Sequence, residues 1–434
     1  MSDGPRPYPT LDEFIAAFNR FESQHRVFDL RDDNLIPWWD LVRYRVQFEL
    51  CVERGIYGRA TAASVSKTKR ARSFVRQFVQ LVRDLVTLYR PKMREVQTIA
   101  LSRRRLRYIE NIAGNKDDVV LFASAQGVPT APSQLSVSAQ SFQFFTRLAK
   151  RFAPVPADVS REAQKLASEI CSEFKSDCDI FKIITSKYRE ELVLRHIWGF
   201  ILNRAFAAKR MIFVNDDMVK TFVAMARAKG MDSEEVQHAY MGRSHIAFSY
   251  PDHIDALATF PDRVVITRDT GDITYPVEKR LVAPERLNVS HIHRDIDVLI
   301  ASSPTRRERT HQVIRAMVGQ ELKVAVKLHP AENIETSGIS KKFATDDVLV
   351  IDNGDDFSEW AARAHICIPV NATSTTAIEA LEMNASVIYL DFEGTIRFEK
   401  ATSSASINTD YLAELQKITM HRLSQEIGKS EEDD

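Results

Sequence analysis

Glycine is scarce, with 14 residues among 434. No Gly-x-Gly-x-x-Gly, Gly-x-x-x-x-Gly-Lys-Ser/Thr or Gly-x-Ser-x-Gly pattern occurs. The usual dinucleotide cradle, phosphate loop and nucleophile elbow therefore lose their support. The 4 cysteines, Cys51, Cys171, Cys178 and Cys367, form no Cys-x-x-Cys pair and have no histidines at zinc spacing. That excludes a disulfide-dense or zinc-ribbon fold and reads as free thiols in a reducing compartment. No apolar run approaches the roughly 18 residues a membrane-spanning helix needs. The uncharged stretch from Val119 to Thr146 is interrupted by Ser, Gln and Pro and cannot span a bilayer. There is no net charge either: 59 basic residues balance 59 acidic ones. A nucleic-acid coat, which would be strongly basic, is disfavoured on that ground. The N-terminal segment carries Asp3, Asp12 and Glu13 and no apolar core of a signal peptide, so the expectation is a soluble cytoplasmic protein. What remains is ordinary globular composition, 44% hydrophobic and 27% charged, long enough for two large domains or three average ones.

The charge balance conceals an asymmetry. Between Ser64 and Arg107 thirteen Lys and Arg residues face two acids, Asp84 and Glu95. Within this stretch Phe74, Phe78, Leu81, Val82, Leu85, Leu88 and Tyr89 recur at three and four residues, and Arg90-Pro91 breaks the pattern. This is a basic amphipathic helix. It can lie in the headgroup plane of an anionic membrane over residues 66–90, with Arg70, Arg72, Arg76 and Arg83 as lipid-binding cations. It can equally pack its apolar stripe on a domain core with the basic face solvated. No aromatic platform or nucleic-acid-binding module accompanies it, so no nucleic-acid partner is expected.

Short helices are expected before it, at Thr10–Phe18 behind a Thr10 cap and at Ile36–Val52. From about residue 96 the pattern alternates. VQTIAL, DVVLFAS, RMIFV, EEVQH and RVVIT read as strands, with helices near 160–175, 183–208 and 216–229. After a polar connection at 284–295 a second series begins. DVLIAS, LKVAVKL, VLVID, HICIPV and SVIYLD read as strands, with helices near 305–319, 356–364 and 376–383. Strands alternating with helices imply parallel sheets covered on both faces, hence an α/β fold of two Rossmann-like domains. The expected division is a helical N-terminal region over 1–95, a first Rossmann-like domain over 96–288, and a second over 289–434 ending in a helix. The acidic tail Glu426–Asp434 is expected to fray. Ligands in such sheets sit beyond the carboxyl ends of the strands, so a cleft between facing domains is the expected site.

Three elements stand at such ends. Lys327-Leu328-His329-Pro330 closes a strand, with Pro330 fixing the turn and His329 able to donate to a phosphate oxygen. Lys327 adds charge if it points the same way. Asn371-Ala372-Thr373-Ser374-Thr375-Thr376 opens a helix, where hydroxyls and backbone N–H groups hold an anion without glycine, or merely cap the helix. Glu379 follows one turn in, as a ribose ligand or a first-turn acid. Glu235-Val236-Gln237-His238 ends a strand of the first domain, with Asn215-Asp216-Asp217 at the neighbouring strand end and His245 and Tyr250-Pro251 in the loop beyond. Arg306 and Arg307 follow the first strand of the second domain, as phosphate ligands or as surface residues. The Asp-x-Asp pairs at Asp177/Asp179 and Asp295/Asp297 read as chance, since one lies between helices and the other precedes a strand.

In combination these elements resemble GT-B glycosyltransferases of bacterial capsule and O-antigen assembly. The group in question carries a His-Pro motif and a later Ser/Thr motif, as sialyl-, polysialyl- and capsule Kdo transferases do. LKVAVKLHPAEN, PVNATSTTAIEALEMNASVIYLD and EVQHAYMGRSHIAFSYPD carry the resemblance, over roughly residues 205–395. Ala239 stands where that pattern has Gly, and Thr373 where it has Ser. The resemblance implies a metal-independent, inverting transfer of a sugar from a nucleotide donor to a glycan or glycolipid acceptor. CMP-linked nonulosonic or ulosonic acids are the leading donor class. His329, Pro330, Lys327, Thr373, Ser374, Thr375, Glu379 and Arg306 would hold the donor, and Glu235, His238 or Asp216 would serve as acceptor base. No cofactor and no metal are expected. A nucleotide-sugar 2-epimerase of the same architecture and a non-catalytic membrane-associated assembly subunit are the alternatives.

Overall fold

The structure, a computed structural model, describes residues 10–56, 67–101, 119–123, 135–138, 145–213, 216–237, 241, 245–266, 273–281, 292–304, 306–318, 321–329, 332, 338–343, 348–352, 355–370, 375–390, 396–399 and 409–428. The chain divides into two compact units. The first comprises Met1–Arg54 and Ser64–Val282, the second Gly55–Ala63 and Ala283–Asp434.

The first unit begins with α1 (Leu11–Gln24), started by a full capping box: the Thr10 hydroxyl accepts from Glu13 N, and the Glu13 carboxylate accepts from Thr10 N. Its apolar face places Phe14, Phe18 and Phe21 against Phe174 at ring-centroid distances of 5.8, 5.5 and 5.9 Å. Phe174 ends α4 (Ala157–Phe174). Next come α2 (Trp38–Glu53) and α3 (Lys67–Leu88). The strands of this unit are β1 (Thr98–Ala100), β2 (Val119–Ala123), β3 (Leu135–Ser138), β4 (Arg210–Phe213), β5 (Asp232–Val236), β6 (Arg263–Ile266) and β7 (Glu278–Leu281). They form one sheet in the order β3-β2-β1-β4-β5-β6-β7, parallel throughout. Helices α5 (Ile180–Arg204) and α6 (Asp216–Ala228) flank it. Gly230 follows α6 with φ of +73°, a left-handed stop that costs glycine nothing.

Buried polar contacts tie the N-terminal helices to this unit. Asp40 on α2 is 1% exposed and accepts from Lys220 Nζ at 2.8 and 2.9 Å, from the Tyr250 hydroxyl at 2.9 Å and from the Thr259 hydroxyl at 2.5 Å. Arg43 makes a two-pronged pair with Glu22, both N–O distances 2.9 Å, and donates to the Ser249 carbonyl at 2.8 Å. Its guanidinium lies over the Tyr250 ring, 4.2 Å from the centroid. Such pairs are strongly destabilising to break, because the surviving charge is left buried.

The second unit has strands β8 (Ile296–Ala301), β9 (Val324–Lys327), β10 (Val348–Ile351), β11 (Ala364–Pro369), β12 (Ser386–Leu390) and β13 (Ile396–Glu399). Their order is β10-β9-β8-β11-β12-β13, parallel except for β13, which runs antiparallel to β12. Helices α7 (Arg307–Met317), α8 (Phe357–Arg363), α9 (Thr375–Glu382) and α10 (Thr409–Gly428) complete it. Central strands carry Val and Ile on both faces, as burial between helices requires. The α/β class and the two parallel-sheet units follow the sequence expectation. Three strands were not expected: β3, β7 and β13. Of the tail expected to fray, the part up to Gly428 belongs to α10, where Glu426 pairs with Arg315 at 2.8 Å; residues 429–434 lie outside the described residues.

The Asp-x-Asp pairs have structural employment. Asp179 caps α5 by accepting from Lys182 N at 3.0 Å, Asp295 pairs with Arg363 at 2.5 Å, and Asp297 accepts from the Tyr411 hydroxyl.

Candidate active site

Both sheets have the doubly wound order, in which the connections turn from one face to the other beside the first strand of the series. In the second unit that place is the carboxyl edge of β8, between β9 and β11. Register puts Ala301 of β8 opposite Lys327 of β9 on one side and Pro369 of β11 on the other. The ladder continues past the strand ends, where Ser302 N donates to Lys327 O at 3.0 Å and Val370 N donates to Ala301 O at 3.1 Å. With neighbouring strands about 4.8 Å apart, the β9 and β11 exits lie about 10 Å from each other, a span suited to a phosphate-bearing ligand.

His329 leaves β9 at this edge. Its backbone N–H donates to the Ser302 hydroxyl oxygen at 2.9 Å and lies 3.4 Å from the Glu332 carboxylate. The Ser302 hydroxyl in turn donates to Glu332, and Glu332 N donates to His329 O at 2.8 Å. Ser302, Ser303 and Glu332 are all buried. This closed set fixes the turn after β9 and hence the origin of the His329 side chain, which is half-buried. Ser302, Ser303 and Glu332 were not singled out in the sequence. The signal was present in Ser302-Ser303-Pro304, a hydroxyl pair between a buried strand and a helix start.

Lys327 is turned elsewhere. It is buried, and its ammonium donates to the backbone carbonyls of Leu328 and Asp352. Burial lowers its pKa, opposed by Asp355, Asp352 and Asp356. Arg306 precedes α7 and donates to the Ile56 carbonyl at 3.2 Å. Arg307 is the first residue of that helix. Thr375 opens α9 at the β11 exit, and Glu379 lies one turn in, half-buried. Pro330, Thr373 and Ser374 lie outside the described residues, and so does the side chain of Thr375.

In the first unit Glu235 is wholly buried within β5, one residue before the strand's end. Its neighbour Glu234 points the other way, clamped by Arg210 and Arg263 at 2.8 and 2.6 Å. Gln237 is buried and its N–H donates to Val265 O at 2.9 Å. Asp216 starts α6; its side chain and His238 lie outside the described residues. Beyond them His245 accepts from Ala247 N through Nδ1 at 3.1 Å, which assigns its proton to Nε2. Burial pushes its pKa down to about 4. Tyr250, read in the sequence as part of a motif, is a core residue on Asp40 and Arg43.

No protein-family profile and no curated protein sequence matches the chain. Solved structures similar to it include sucrose-phosphate synthase from Thermosynechococcus elongatus, at 11% identity and TM-score 0.38, covering 76% of this chain and 94% of that one. UDP-N-acetylglucosamine 2-epimerase from Rickettsia bellii is 10% identical with TM-score 0.38, covering 75% and 88%. Os79 from O. sativa, in complex with UDP, is 9% identical with TM-score 0.40, covering 75% and 94%. Identities and scores this low assign no activity to this chain.

Proposed function

We propose that the protein is a metal-independent glycosyltransferase. Its donor is a nucleotide sugar held by the second unit, with CMP-linked acids of the sialic or Kdo type as the leading class. Its acceptor is a surface polysaccharide or lipid-linked glycan. The observation that carries this reading is the fixed His329 turn, braced by Ser302 and Glu332 beside the β11-to-α9 exit. A helix start and a strand-end histidine at one sheet edge suit a leaving phosphate.

The chemistry proposed is displacement at the anomeric carbon. The acceptor hydroxyl oxygen forms the new bond, the bond from carbon to the phosphate oxygen breaks, and its electron pair departs with the nucleotide. His329 and the hydroxyls of Thr373, Ser374 and Thr375 stabilise that charge, and a general base takes the acceptor proton; His238 and Asp216 are the sequence candidates for it, Glu235 being wholly buried within β5.

Incubating the protein with a panel of CMP-, UDP-, GDP- and dTDP-sugars, without acceptor, tests this. Slow release of free nucleotide from one donor class is expected, falling about 10²-fold in His329→Ala. A changed sugar with the nucleotide still attached would instead identify an epimerase. No turnover, together with no rise in melting temperature from any nucleotide, would sink the reading.

A further inference from the structure

Among its described side chains, from Phe78 to Leu88, the helix α3 is packed by a narrow face only. Leu88 and Asp84 are buried, and Gln80 donates to the Asp84 carboxylate at 2.8 Å. Phe78, Val79, Val82 and Val86 of the described apolar stripe are 46–58% exposed, and Tyr89, 60% exposed, lies under the Arg204 guanidinium, 4.0 Å from its ring centroid. These positions repeat at one, three and four residues, so they share one side of the helix.

Leu88 belongs to a core cluster with Met93, Val96 and Ala205, against which Ala149 and Ala153 also pack. The sequence neighbours of those alanines, Leu148, Phe152 and Phe206, are themselves 54%, 84% and 69% exposed. Exposed apolar side chains thus come from three segments that each contribute to this core.

The charge around the stripe has one sign. Arg83, Arg90, Lys92 and Arg94 are exposed, and the helix residues Lys67 to Arg76 add five more cations in sequence. Of the two acids between Ser64 and Arg107, Asp84 faces the core and only Glu95 is exposed. A second copy of this chain would set cations against cations. An anionic bilayer offers an apolar layer to the stripe and negative headgroups to its border. No helix among the described residues is long and apolar enough to cross a membrane.

We infer that α3 docks the first unit on an anionic lipid bilayer, lying flat with Phe78, Val79, Val82 and Val86 below the headgroups. This stands apart from the transfer reading, since it needs no catalysis and no nucleotide.

Flotation of the full chain with two kinds of vesicle tests it. One is phosphatidylcholine alone; the other is equal parts phosphatidylcholine and phosphatidylglycerol. Binding to the second and little to the first is expected, weakening as salt is raised. Neutralising Arg83, Arg90 or Lys92 should weaken partition roughly fivefold for each residue. The triple variant Phe78→Ser/Val82→Ser/Val86→Ser alters exposed positions only, so its melting temperature should hold while flotation is lost. Equal binding to both vesicles, no binding to either, or undiminished binding of the triple variant would each overturn the proposal. So would sedimentation showing an oligomer that the triple variant dissolves, which would make the stripe a protein interface. The salt arm uses the unaltered protein and reads out even if the triple variant misfolds.

Discussion

His245 is half-buried, and its Nδ1 is committed to accepting from Ala247 N, so a second proton has no favourable place on the ring. Its pKa in the folded chain is about 4, against 6.5 when unfolded. Between those values the unfolded chain binds more protons than the folded one, so stability rises with pH across the window and is lost as pH falls from 6.5 toward 4. The loss from this residue is at most about 3 kcal/mol. Urea titrations at a series of pH values should show it. His245→Asn keeps an acceptor near Ala247 N and should flatten the curve in that window while leaving stability at neutral pH nearly unchanged. A slope identical in variant and parent would place the proton uptake elsewhere. The sequence presented His245 and Tyr250 as polar loop residues near a strand end, and nothing local distinguished cleft from core. What satisfies the buried Tyr250 hydroxyl is Asp40, 210 residues earlier in the chain, and a contact that distant leaves no mark in the pattern around either residue.

Elements were legible where burial imposed a period. Central strands such as β8, β9 and β11 lie between two helical layers and read as short, largely apolar runs rich in Val and Ile. Helix α1 announced itself by its Thr10 cap, which the structure completes into a capping box with Glu13. The edge strands lacked such a signal: β7 is Glu-Lys-Arg-Leu with every residue exposed, and β3 is Leu-Ser-Val-Ser in a polar stretch. An edge strand has a neighbour on one side only and no need of two apolar faces. The candidate site divided in the same way. His329 and Thr375 were visible because strand ends and helix starts are, whereas Glu332 was not, since its partner Ser302 comes from another strand. Helix α10 shows how much a terminal element can carry. Leu412, Leu415 and Leu423 enter the second unit's core cluster, and Arg315 on α7 holds Glu426. Leu423 is fully buried, so Leu423→Ala should cost that unit about 2–5 kcal/mol, measured by urea or thermal unfolding. Glu426→Gln removes a partly exposed pair and should cost less than about 1 kcal/mol. Equal losses from the two would mean that charge, not packing, holds α10.

At the scale of the whole molecule the two units have separate apolar cores. Leu88, Trp198 and Phe213 belong to a cluster of the first; Val298, Ile368 and Leu423 belong to one of the second. A chain with two cores need not unfold as one cooperative block, so a single melting temperature is not its natural description. Calorimetry should resolve two transitions, and the variants above assign them. Leu423→Ala should lower one, and His245→Asn should alter the pH dependence of the other. A ligand that binds only the folded form stabilises whatever it is bound to, by about 2.7 kcal/mol at a hundredfold excess over its dissociation constant. If the nucleotide is held by His329 and the α9 start, it should raise the transition that Leu423→Ala lowers and leave the other in place. His329→Ala should abolish that rise without moving either transition of the free protein by more than about 1 kcal/mol, because the residue is half-buried and its backbone bonds to Ser302 survive the change. A nucleotide that raised the His245-dependent transition instead would put the binding site in the first unit and take His329 out of it.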